Sequence, residues 1–430
     1  MKACVVGLGK VGLPLAIQIA SKGIATTGVD IDPGVVAKVN RGVAPFKEPE
    51  MDSRLHKVVQ SGNLRAVTEA AHAVGDCDVV VVIVPLVVDG RNLPDFSSLD
   101  AAAKSVGAAL GRGTLVILET TVPVGTTRER LAPMLEEASG LKAGTDFAIA
   151  FSPERISSGS VFKDFQRYPK LVGGIDESST KAAMRFYEDV LDFDNRTDLG
   201  RPNGVWNLNT VEAAELVKLV ETTYRDVNIA LANEFATYSE SLGLDFKEII
   251  EAANSQPYSH IHRPGIAVGG HCIPVYPHLY LAGHPEAVLP QAARTVNVDQ
   301  PRRVVARMVE LAGSIEGKTV AVLGASYRGG VKETAFSGVF PTIEALRAQG
   351  ARAVVHDPLY THTELKEFGF EPYQLGEPCF AAVIQTDHPE YANLTPADLP
   401  GCEVLVDGRG ILNRHVWRGE PTTIAVIGSR

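Results

Sequence analysis

Short apolar runs recur along the first half of the chain, and segments with apolar residues at helical spacing separate them. The runs lie at 2–7, 25–29, 78–84, 114–119, 147–151 and 170–173, and the helical segments include 13–20, 97–110 and 127–137. Apolar runs without alternation are typical of parallel strands that are buried on both faces. The pattern therefore predicts an α/β domain with a doubly wound parallel sheet over residues 1–204.

The pattern changes at about Trp206 and becomes helical without strands. Apolar residues recur at helical spacing over 211–242, and a shorter helix is predicted over 246–253. We expect the long helix to form the core of a central helical region, residues 205–300.

The last third of the chain repeats the pattern of the first. Strands are predicted at 318–324, 351–357, 381–385, 402–407 and 423–427, with a helix at 336–349. Residues 301–430 are therefore predicted to form a second doubly wound domain. For the whole chain we predict two Rossmann-like parallel-sheet domains joined by a long central helix.

A glycine-rich turn joins the first strand to the first helix. Gly7, Gly9 and Gly12 have the spacing Gly-x-Gly-x-x-Gly, and Asp30 ends the next strand, 23 residues after Gly7. In dinucleotide-binding domains such glycines allow the backbone to approach the pyrophosphate, and the acid binds the ribose hydroxyls. An acid would repel the 2′-phosphate of NADP, so we predict an NAD site. The candidate residues are Gly7, Gly9, Lys10, Val11, Gly12 and Asp30, with Pro85 and Thr121 at later strand ends.

Polar residues follow other strands at the carboxyl edge of the predicted sheet, where ligands bind in open parallel sheets. Thr121 follows the run at 114–119, and Glu154 follows the run at 147–151, between a proline and Arg155. We expect Glu154 to be functional. Thr126 or Thr127 is expected to be a helix cap instead.

The central helix carries charged residues at helical spacing. Glu215, Glu221 and Arg225 are expected to form a solvated face with ion pairs between turns. The first strand of the last domain is followed by Tyr327, Arg328 and Lys332, an aromatic residue and two cations that could hold the base and phosphates of a nucleotide.

A flexible loop bounded by prolines carries a thiol next to an imidazole. Gly269 and Gly270 precede His271 and Cys272, and prolines follow at 274 and 277. Glycines before a reactive side chain allow close approach of the backbone to a ligand. The loop is a candidate nucleophile site, although an isolated loop cysteine is more often without a catalytic role.

Composition narrows the class of partner. The 430 residues are 45% hydrophobic, and the net charge of −10 argues against nucleic acid or an anionic membrane as the main partner. We therefore expect a small-molecule partner. The five cysteines are far apart and lack Cys-x-x-Cys spacing, so we predict no disulfide framework, no metal site and a reducing cytoplasm. We also expect no transmembrane segment.

Taken together, these motifs resemble the UDP-glucose/UDP-N-acetylmannosamine dehydrogenase family, the nucleotide-sugar 6-dehydrogenases. The resemblance covers essentially the whole chain, from the glycine turn to the Gly-Gly-His-Cys-Ile-Pro loop that begins at Gly269. It includes Ser-Pro-Glu-Arg at 152–155 and Ala-Glu-Leu-Val-Lys at 214–218. The Ser-Pro-Glu-Arg and Gly-Gly-His-Cys-Ile-Pro forms are similar to the branch that acts on UDP-N-acetylhexosamines.

The resemblance implies the oxidation of a primary alcohol to a carboxylate, with two NAD molecules reduced. By similarity, Cys272 forms a thiohemiacetal and then a thioester, Lys218 stabilises the oxyanion, and Glu154 activates the hydrolytic water with help from Thr121. The implied substrate-binding residues are Glu154, Arg155, Lys218, Arg263, Gly269, Tyr327 and Lys332, which would hold a UDP-sugar. The long helix is implied to be the core of a homodimer.

The sequence departs from the family pattern at two positions. Thr222 stands where the family usually has Asn, and Tyr276 stands where it usually has Asp. A phenol is a poor base near neutral pH because its reference pKa is about 10. Either another group, with His271 the nearest candidate, takes the proton in the alcohol oxidation, or the reaction differs. The alternatives are a two-electron oxidation, oxidation-assisted epimerisation, and a silent protein that binds a nucleotide sugar and NAD.

Overall fold

The computed structural model describes residues 1–429 and divides the chain into two compact units. The first unit is Met1–Glu221 with His278–Gly283, and the second is Thr222–Pro277 with the chain from His284 onward. The three domain ranges expected from the sequence stay a prediction. None of the helices within residues 1–429 is both long and apolar enough to cross a membrane.

The first unit alternates strands and helices. Its strands are β1 (Lys2–Val6), β2 (Ala25–Val29), β3 (Leu64–Val67), β4 (Val79–Val82), β5 (Val87–Val88), β6 (Pro94–Asp95), β7 (Leu115–Leu118), β8 (Ala148–Phe151), β9 (Lys170–Gly174) and β10 (Val205–Thr210). Its helices are α1 (Gly12–Ser21), α2 (Pro33–Asn40), α3 (Met51–Gln60), α4 (Ser97–Gly107), α5 (Ala132–Ser139), α6 (Val161–Arg167) and α7 (Glu177–Val190). A π-helical turn, Thr127–Leu131, leads into α5, and β5 and β6 form a separate antiparallel pair.

Eight strands form one sheet in the order β10-β9-β8-β7-β4-β1-β2-β3. The neighbouring strands are parallel, as predicted, except that β9 runs antiparallel to β8, with Phe151 opposite Gly173. The expectation that the run at 170–173 is another parallel strand was therefore wrong. All five residues of β9 are buried, and an apolar run that is buried on both faces carries no information about strand direction.

The expectation of helix without strands from Trp206 was also wrong. β10 contains this residue and pairs in parallel with β9 at the edge of the sheet. An edge strand has a neighbouring strand on one side only, and its residues are less buried than those of the central strands. The sequence of β10, Val-Trp-Asn-Leu-Asn-Thr, therefore lacks a continuous apolar run.

Four helices follow along the chain, namely α8 (Val211–Leu242), α9 (Phe246–Ala253), α10 (Tyr276–Gly283) and α11 (Val288–Ala312). The bounds of α8 and α9 are those that the periodicity predicts. The predicted boundary between residues 300 and 301 falls inside α11, where Pro301 is accommodated within the helix.

The second unit contains a sheet of five parallel strands in the order β12-β11-β13-β14-β15. Its elements are β11 (Thr319–Leu323), α12 (Val339–Ala348), β12 (Arg352–His356), α13 (His362–Glu367), β13 (Ala381–Ile384), β14 (Val404–Asp407) and β15 (Thr423–Val426), with 3₁₀ turns at Pro389–Asn393, Pro396–Asp398 and Arg414–Trp417. A second doubly wound sheet is thus confirmed. The predicted helix at 336–349 begins later than expected, because Phe336 has a positive φ of 48°.

Candidate active site

The glycine turn after β1 has the geometry that a dinucleotide site needs. Gly7 has a φ of +98°, and a Cβ there would lie 2.2 Å from the Ile83 carbonyl oxygen. A Cβ on Gly12 would lie 1.8 Å from the Gly7 carbonyl oxygen. Apart from the chain neighbours of Gly9, no heavy atom of the described residues lies within 4 Å of the place that a Cβ on Gly9 would occupy. The first and third glycines are therefore needed for the fold, and the second faces open space.

Asp30 lies beside this turn. Its Oδ2 accepts a hydrogen bond from the Leu8 backbone N–H at 2.9 Å, and its Oδ1 accepts one from the Asp32 N–H at 2.9 Å. The carboxylate is half-buried, and each oxygen retains a lone pair for a further donor. The open space at Gly9, the exposed Lys10 and the oriented acid fit an NAD molecule.

The acid at the corresponding place in the second unit is used differently. Asp357 is 3% exposed and accepts hydrogen bonds from the N–H groups of Ala325, Ser326 and Leu359. The His388 imidazole lies 3.1 Å from the same carboxylate. Asp357 therefore fixes the loop after β11 and leaves little access for a ribose.

A buried cluster of charges surrounds Glu154 in the first unit. The Lys170 Nζ lies 2.8 Å from Glu154 Oε2 and 2.8 Å from Glu119 Oε1. The side chains of Lys170, Glu119 and Glu154 are 6%, 0% and 10% exposed. The Tyr187 hydroxyl donates a hydrogen bond to Glu119, and its ring centroid lies 4.7 Å from the Lys170 Nζ. One ammonium thus joins two buried carboxylates.

The two carboxylates of this cluster have different proton affinities. Burial raises the pKa of Glu119 to about 7, although Lys170 and Tyr187 oppose the shift. Burial alone would also raise the pKa of Glu154, but the Lys170 charge, its hydrogen bond, the Arg155 N–H and the Lys218 charge together lower it below its usual value. Glu154 consequently loses its proton at a lower pH than Glu119.

The expectation that Glu215 lies on a solvated face was wrong, because this residue has no exposed surface. Its carboxylate accepts hydrogen bonds from the N–H groups of Gly125 and Thr127, at 2.6 and 2.8 Å, and from the Thr127 hydroxyl at 2.7 Å. Burial raises the pKa of Glu215 to about 7 against these three bonds. Thr126 does occupy the N-cap position of the turn, but its side chain makes no capping hydrogen bond and donates to the Pro123 carbonyl instead. The carboxylate of Glu215 accepts from the backbone N–H groups there.

Four more predicted site residues belong to the first unit, and three of them are at least partly buried. Lys218 follows Glu215 by three residues on α8 and is 9% exposed. Arg155 forms an ion pair with Glu221. Glu221 of α8 is therefore paired with a residue outside its helix, and not with another turn of the helix as predicted. Thr121 is buried in the turn after β7. Pro85, by contrast, is exposed.

The Gly-Gly-His-Cys loop lies in the second unit and packs against Tyr327. A Cβ on Gly269 would lie 2.8 Å from the Tyr327 Cβ, and one on Gly270, where φ is +89°, would lie 3.0 Å from its ring. The Gly270 N–H also donates to the Ala335 carbonyl at 3.0 Å. Only glycines allow this close contact between the thiol loop and Tyr327.

Cys272 and His271 are accessible to solvent in part, whereas Thr222 is buried. Cys272 is half-buried, and its carbonyl accepts hydrogen bonds from the N–H groups of Val275 and Tyr276, the residue that begins α10. The His271 side chain is 59% exposed, and its Nε2 lies 3.7 Å from a Glu333 carboxylate oxygen. Thr222 is buried one helical turn after Lys218.

Asparagine side chains fix the segment that carries Arg263. Asn228 donates to the His260 carbonyl and accepts from the His262 N–H, both at 2.8 Å. Asn254 makes the same pair of bonds with Ile261, both at 2.9 Å. The backbone on the N-terminal side of Arg263 is thus held, while its own side chain is exposed.

Arg263 lines a cavity of about 480 Å³ within the second unit. Three more cations, Lys247, Arg409 and Arg414, line the same cavity together with the carboxylates of Asp245, Glu251 and Asp407, and Arg414 is paired with Asp245. The predicted substrate residue Lys332 does not line it. Lys332 instead forms an ion pair with Glu364, and its Nζ lies 4.9 Å from the centroid of the Tyr360 ring.

Comparison with known proteins shows the family. Models of the UDP-glucose/GDP-mannose dehydrogenase family match the chain in three parts, the NAD binding domain over residues 1–191, the central domain over 212–298 and the UDP binding domain over 321–414. The chain belongs to this family. It is an NAD-dependent nucleotide-sugar dehydrogenase, which confirms the recognition made from the motifs.

Relatives within the family include several that act on N-acetylated sugars. The chain is 36% identical to the UDP-N-acetyl-D-mannosamine dehydrogenase of Pyrococcus horikoshii over 433 residues, which covers 97% of this chain and 99% of the relative. A solved structure of the enzyme from P. horikoshii matches with a TM-score of 0.88 and 34% identity, over 100% of this chain and 99% of that one. An NDP-N-acetyl-D-galactosaminuronic acid dehydrogenase from Methanosarcina mazei matches with a TM-score of 0.85 and 28% identity, over 100% and 95%.

Several buried or clustered residues of this dehydrogenase were missed by sequence reasoning. They are Glu119, Lys170, Glu215, Asn228 and Arg409. A signal existed for two of them, because Glu119 ends the run at 114–119 and Arg409 follows a strand that ends in Asp407, both at the carboxyl edge of a sheet. Lys170 begins an apolar run, and nothing in that pattern indicates a buried ammonium.

Proposed function

We propose that this dehydrogenase oxidises the C6 primary alcohol of a UDP-N-acetylhexosamine to a carboxylate, in a four-electron reaction through a thioester on Cys272. UDP-N-acetylmannosamine and UDP-N-acetylglucosamine are the favoured substrates. The observation that carries the proposal is the contact of Gly269 and Gly270 with Tyr327. It joins the thiol loop to a residue expected to hold the nucleotide.

The cofactor fits the first unit. Gly7, Gly9, Gly12 and Asp30 would hold NAD, which when bound accepts the hydride removed in each of the two oxidations. Asp30 would accept hydrogen bonds from the ribose hydroxyls through its remaining lone pairs.

His271 takes the proton of the sugar alcohol in the first oxidation, in place of the family Asp. An imidazolium that forms there is stabilised by Glu333, whose carboxylate lies 3.7 Å away. The Cys272 sulfur then bonds to the carbon of the C6 aldehyde and the thiol proton passes to the aldehyde oxygen, so the thiohemiacetal retains the intermediate. Lys218 stabilises the negative charge that develops on this oxygen during the addition and when the second hydride leaves.

After the second oxidation, Glu154 activates the water that hydrolyses the thioester. The water oxygen bonds to the acyl carbon, Glu154 accepts a water proton, and the carbon–sulfur bond breaks to release the uronic acid. Glu154 then returns this proton to the sulfur, which restores the Cys272 thiol. Thr121 helps to hold the water. The ionised state of Glu154 suits a general base.

Cations and Tyr327 bind the UDP portion of the substrate. Tyr327 stacks on the base or ribose, and Arg155 and Arg263 bind phosphate or sugar oxygens. Lys332 exchanges its bond to Glu364 for one to the diphosphate.

The protein is further proposed to be a cytoplasmic homodimer that associates through α8. Large apolar side chains are exposed at helical spacing along this helix, and they are Leu216, Val220, Tyr224, Leu231, Phe235, Tyr238 and Leu242. Seven such residues form an apolar stripe along the helix, interrupted at Asn228, which water would hydrate poorly and a second copy would cover.

A nucleotide-sugar panel tests the proposed reaction. The purified protein is incubated with NAD and UDP-N-acetylmannosamine, UDP-N-acetylglucosamine, UDP-glucose or UDP-galactose, and NADH yield and product mass are measured. Two NADH per uronic acid supports the proposal. One NADH with an aldehyde or ketone product, or an epimer without net NADH, would support the alternatives that Thr222 and Tyr276 motivate, and NAD binding without any turnover would indicate a silent protein.

A further inference from the structure

The Glu154 carboxylate is held by donors on both of its oxygens. Oε2 accepts a hydrogen bond from the Lys170 Nζ at 2.8 Å, and Oε1 accepts from the N–H groups of Arg155 at 2.7 Å and Ile156 at 3.1 Å. The backbone donors come from the residues next in sequence and would exist in any variant that keeps the turn. Lys170 is the donor that comes from another element, β9.

Lys170 is fixed from the far side by Glu119. The ammonium lies between two carboxylates, 2.8 Å from each, and the Tyr187 hydroxyl holds Glu119 in place. Glu119 Oε2 has no hydrogen-bond partner within residues 1–429. The three side chains are at least nine-tenths buried, so solvent screens their charges poorly.

The two carboxylates of the cluster differ in how readily they take up a proton. Burial raises the pKa of Glu119 to about 7, whereas the pKa of Glu154 lies below its usual value. Of the two, Glu154 therefore keeps its negative charge to lower pH. Removal of the ammonium would leave Glu154 with its two backbone donors and the Lys218 charge, and its protonation would become easier.

We infer that Lys170 is a positioning residue, which keeps Glu154 ionised and oriented toward the water that hydrolyses the Cys272 thioester. The inference rests on the proposed function and adds a residue to it. Lys170 acts through Glu154, so its loss slows hydrolysis, in which Glu154 takes a water proton, and leaves the preceding oxidations intact.

The test compares the full-length wild-type protein with Lys170→Met and Lys170→Arg, using NAD and the UDP-sugar that passes the panel. For Lys170→Met we expect a burst of two NADH per subunit, then turnover reduced by about 10- to 100-fold, which is less than the roughly 10²- to 10⁴-fold effect of a general base itself because Glu154 remains. The subunit gains the mass of the UDP-linked acyl group, and hydroxylamine removes it. Lys170→Arg restores part of the turnover, because it returns the positive charge.

Two further variants keep the test decisive. Lys163→Met makes the same change at an exposed position on α6 and is expected to behave as the wild type. If Lys170→Met does not fold, Lys170→Met combined with Glu119→Gln removes one group of each charge sign, and the same thioester accumulation is expected.

Two results would overturn the inference. One is a folded Lys170 variant with wild-type turnover, and the other is a variant that loses the burst together with the turnover, which would give Lys170 a role in the fold or in the oxidations. A wild-type protein that makes no NADH with any sugar of the panel would instead refute the proposed function, and the inference with it.

Discussion

The Thr127 hydroxyl donates a hydrogen bond of 2.7 Å to the buried carboxylate of Glu215. The same carboxylate accepts hydrogen bonds from the backbone N–H groups of Gly125 and Thr127, at the start of the helical turn that precedes α5. Glu215 thus connects α8, the helix that carries Lys218, to the turn that follows Thr121. This contact joins two predicted catalytic residues through the fold of the first unit.

Replacement of Glu215 by Gln should change how stability depends on pH. The pKa of Glu215 is about 7 in the folded protein and near 4.5 in the unfolded chain. As pH rises through this window, the unfolded wild-type chain loses the proton first, so the wild type loses up to about 3 kcal/mol of stability from this group. Glu215→Gln does not titrate there and lacks this loss.

Melting temperatures of both proteins from pH 4.5 to pH 8 check this prediction. The difference at pH 4.5 measures the altered hydrogen bonds, and the variant should gain several degrees relative to the wild type by pH 8. A difference that stays constant with pH would contradict the raised pKa.

Gly9→Ala should separate cofactor binding from folding. Apart from its own chain neighbours, the added Cβ has no heavy atom of residues 1–429 within 4 Å, so the melting temperature should stay unchanged, but it would occupy the space that the NAD pyrophosphate needs. We expect the Kd for NAD, measured by calorimetry, to rise about tenfold or more. Gly90→Ala, which also adds a Cβ in open space, is the matched control. Wild-type affinity in Gly9→Ala would place the cofactor elsewhere.

Asn228→Leu should weaken the binding of UDP and leave the binding of NAD unchanged. The change removes two hydrogen bonds to the segment before Arg263, at about 1 kcal/mol each. We expect the Kd for UDP to rise about tenfold, as measured by calorimetry. The exposed Asn393→Ala serves as the control. Equal effects on UDP and NAD would indicate general destabilisation.

Phe235→Glu combined with Tyr238→Glu should convert the proposed dimer to a monomer. Both side chains are exposed on α8, at 41% and 67%, and a buried carboxylate in the middle of an apolar interface is strongly unfavourable. Light scattering coupled to size-exclusion chromatography measures the mass. Glu367→Lys, on the exposed surface of α13, should stay dimeric. A monomeric wild type would refute the proposed interface.

The sequence predicted those parts of the fold and of the candidate site that depend on patterns within a single segment of the chain. Gly7, Gly12 and Asp30 were found because turn geometry requires glycines at fixed spacing, and the bounds of α8 follow from apolar periodicity. Cys272 was singled out from its loop, and its catalytic role stays a prediction.

The missed parts depend on contacts between residues far apart in the chain. Lys170 meets Glu119 across 51 positions, and Glu215 meets Gly125 across 90, so neither pairing leaves a pattern within one segment. The charges on α8 were interpreted as solvated because helical spacing alone does not show which face another element covers. The direction of β9 was missed because a strand that is buried along its whole length has the same apolar pattern whether it runs parallel or antiparallel to its neighbour.

The most direct test of the proposed reaction is the ratio of NADH formed to UDP-N-acetylmannosamine consumed, with product mass, in wild type and Cys272→Ala. We predict two NADH and a uronic acid for the wild type. For Cys272→Ala we predict unchanged NAD binding and no carboxylate. One NADH per sugar in the wild type, or carboxylate formation by Cys272→Ala, would contradict the four-electron thioester reaction.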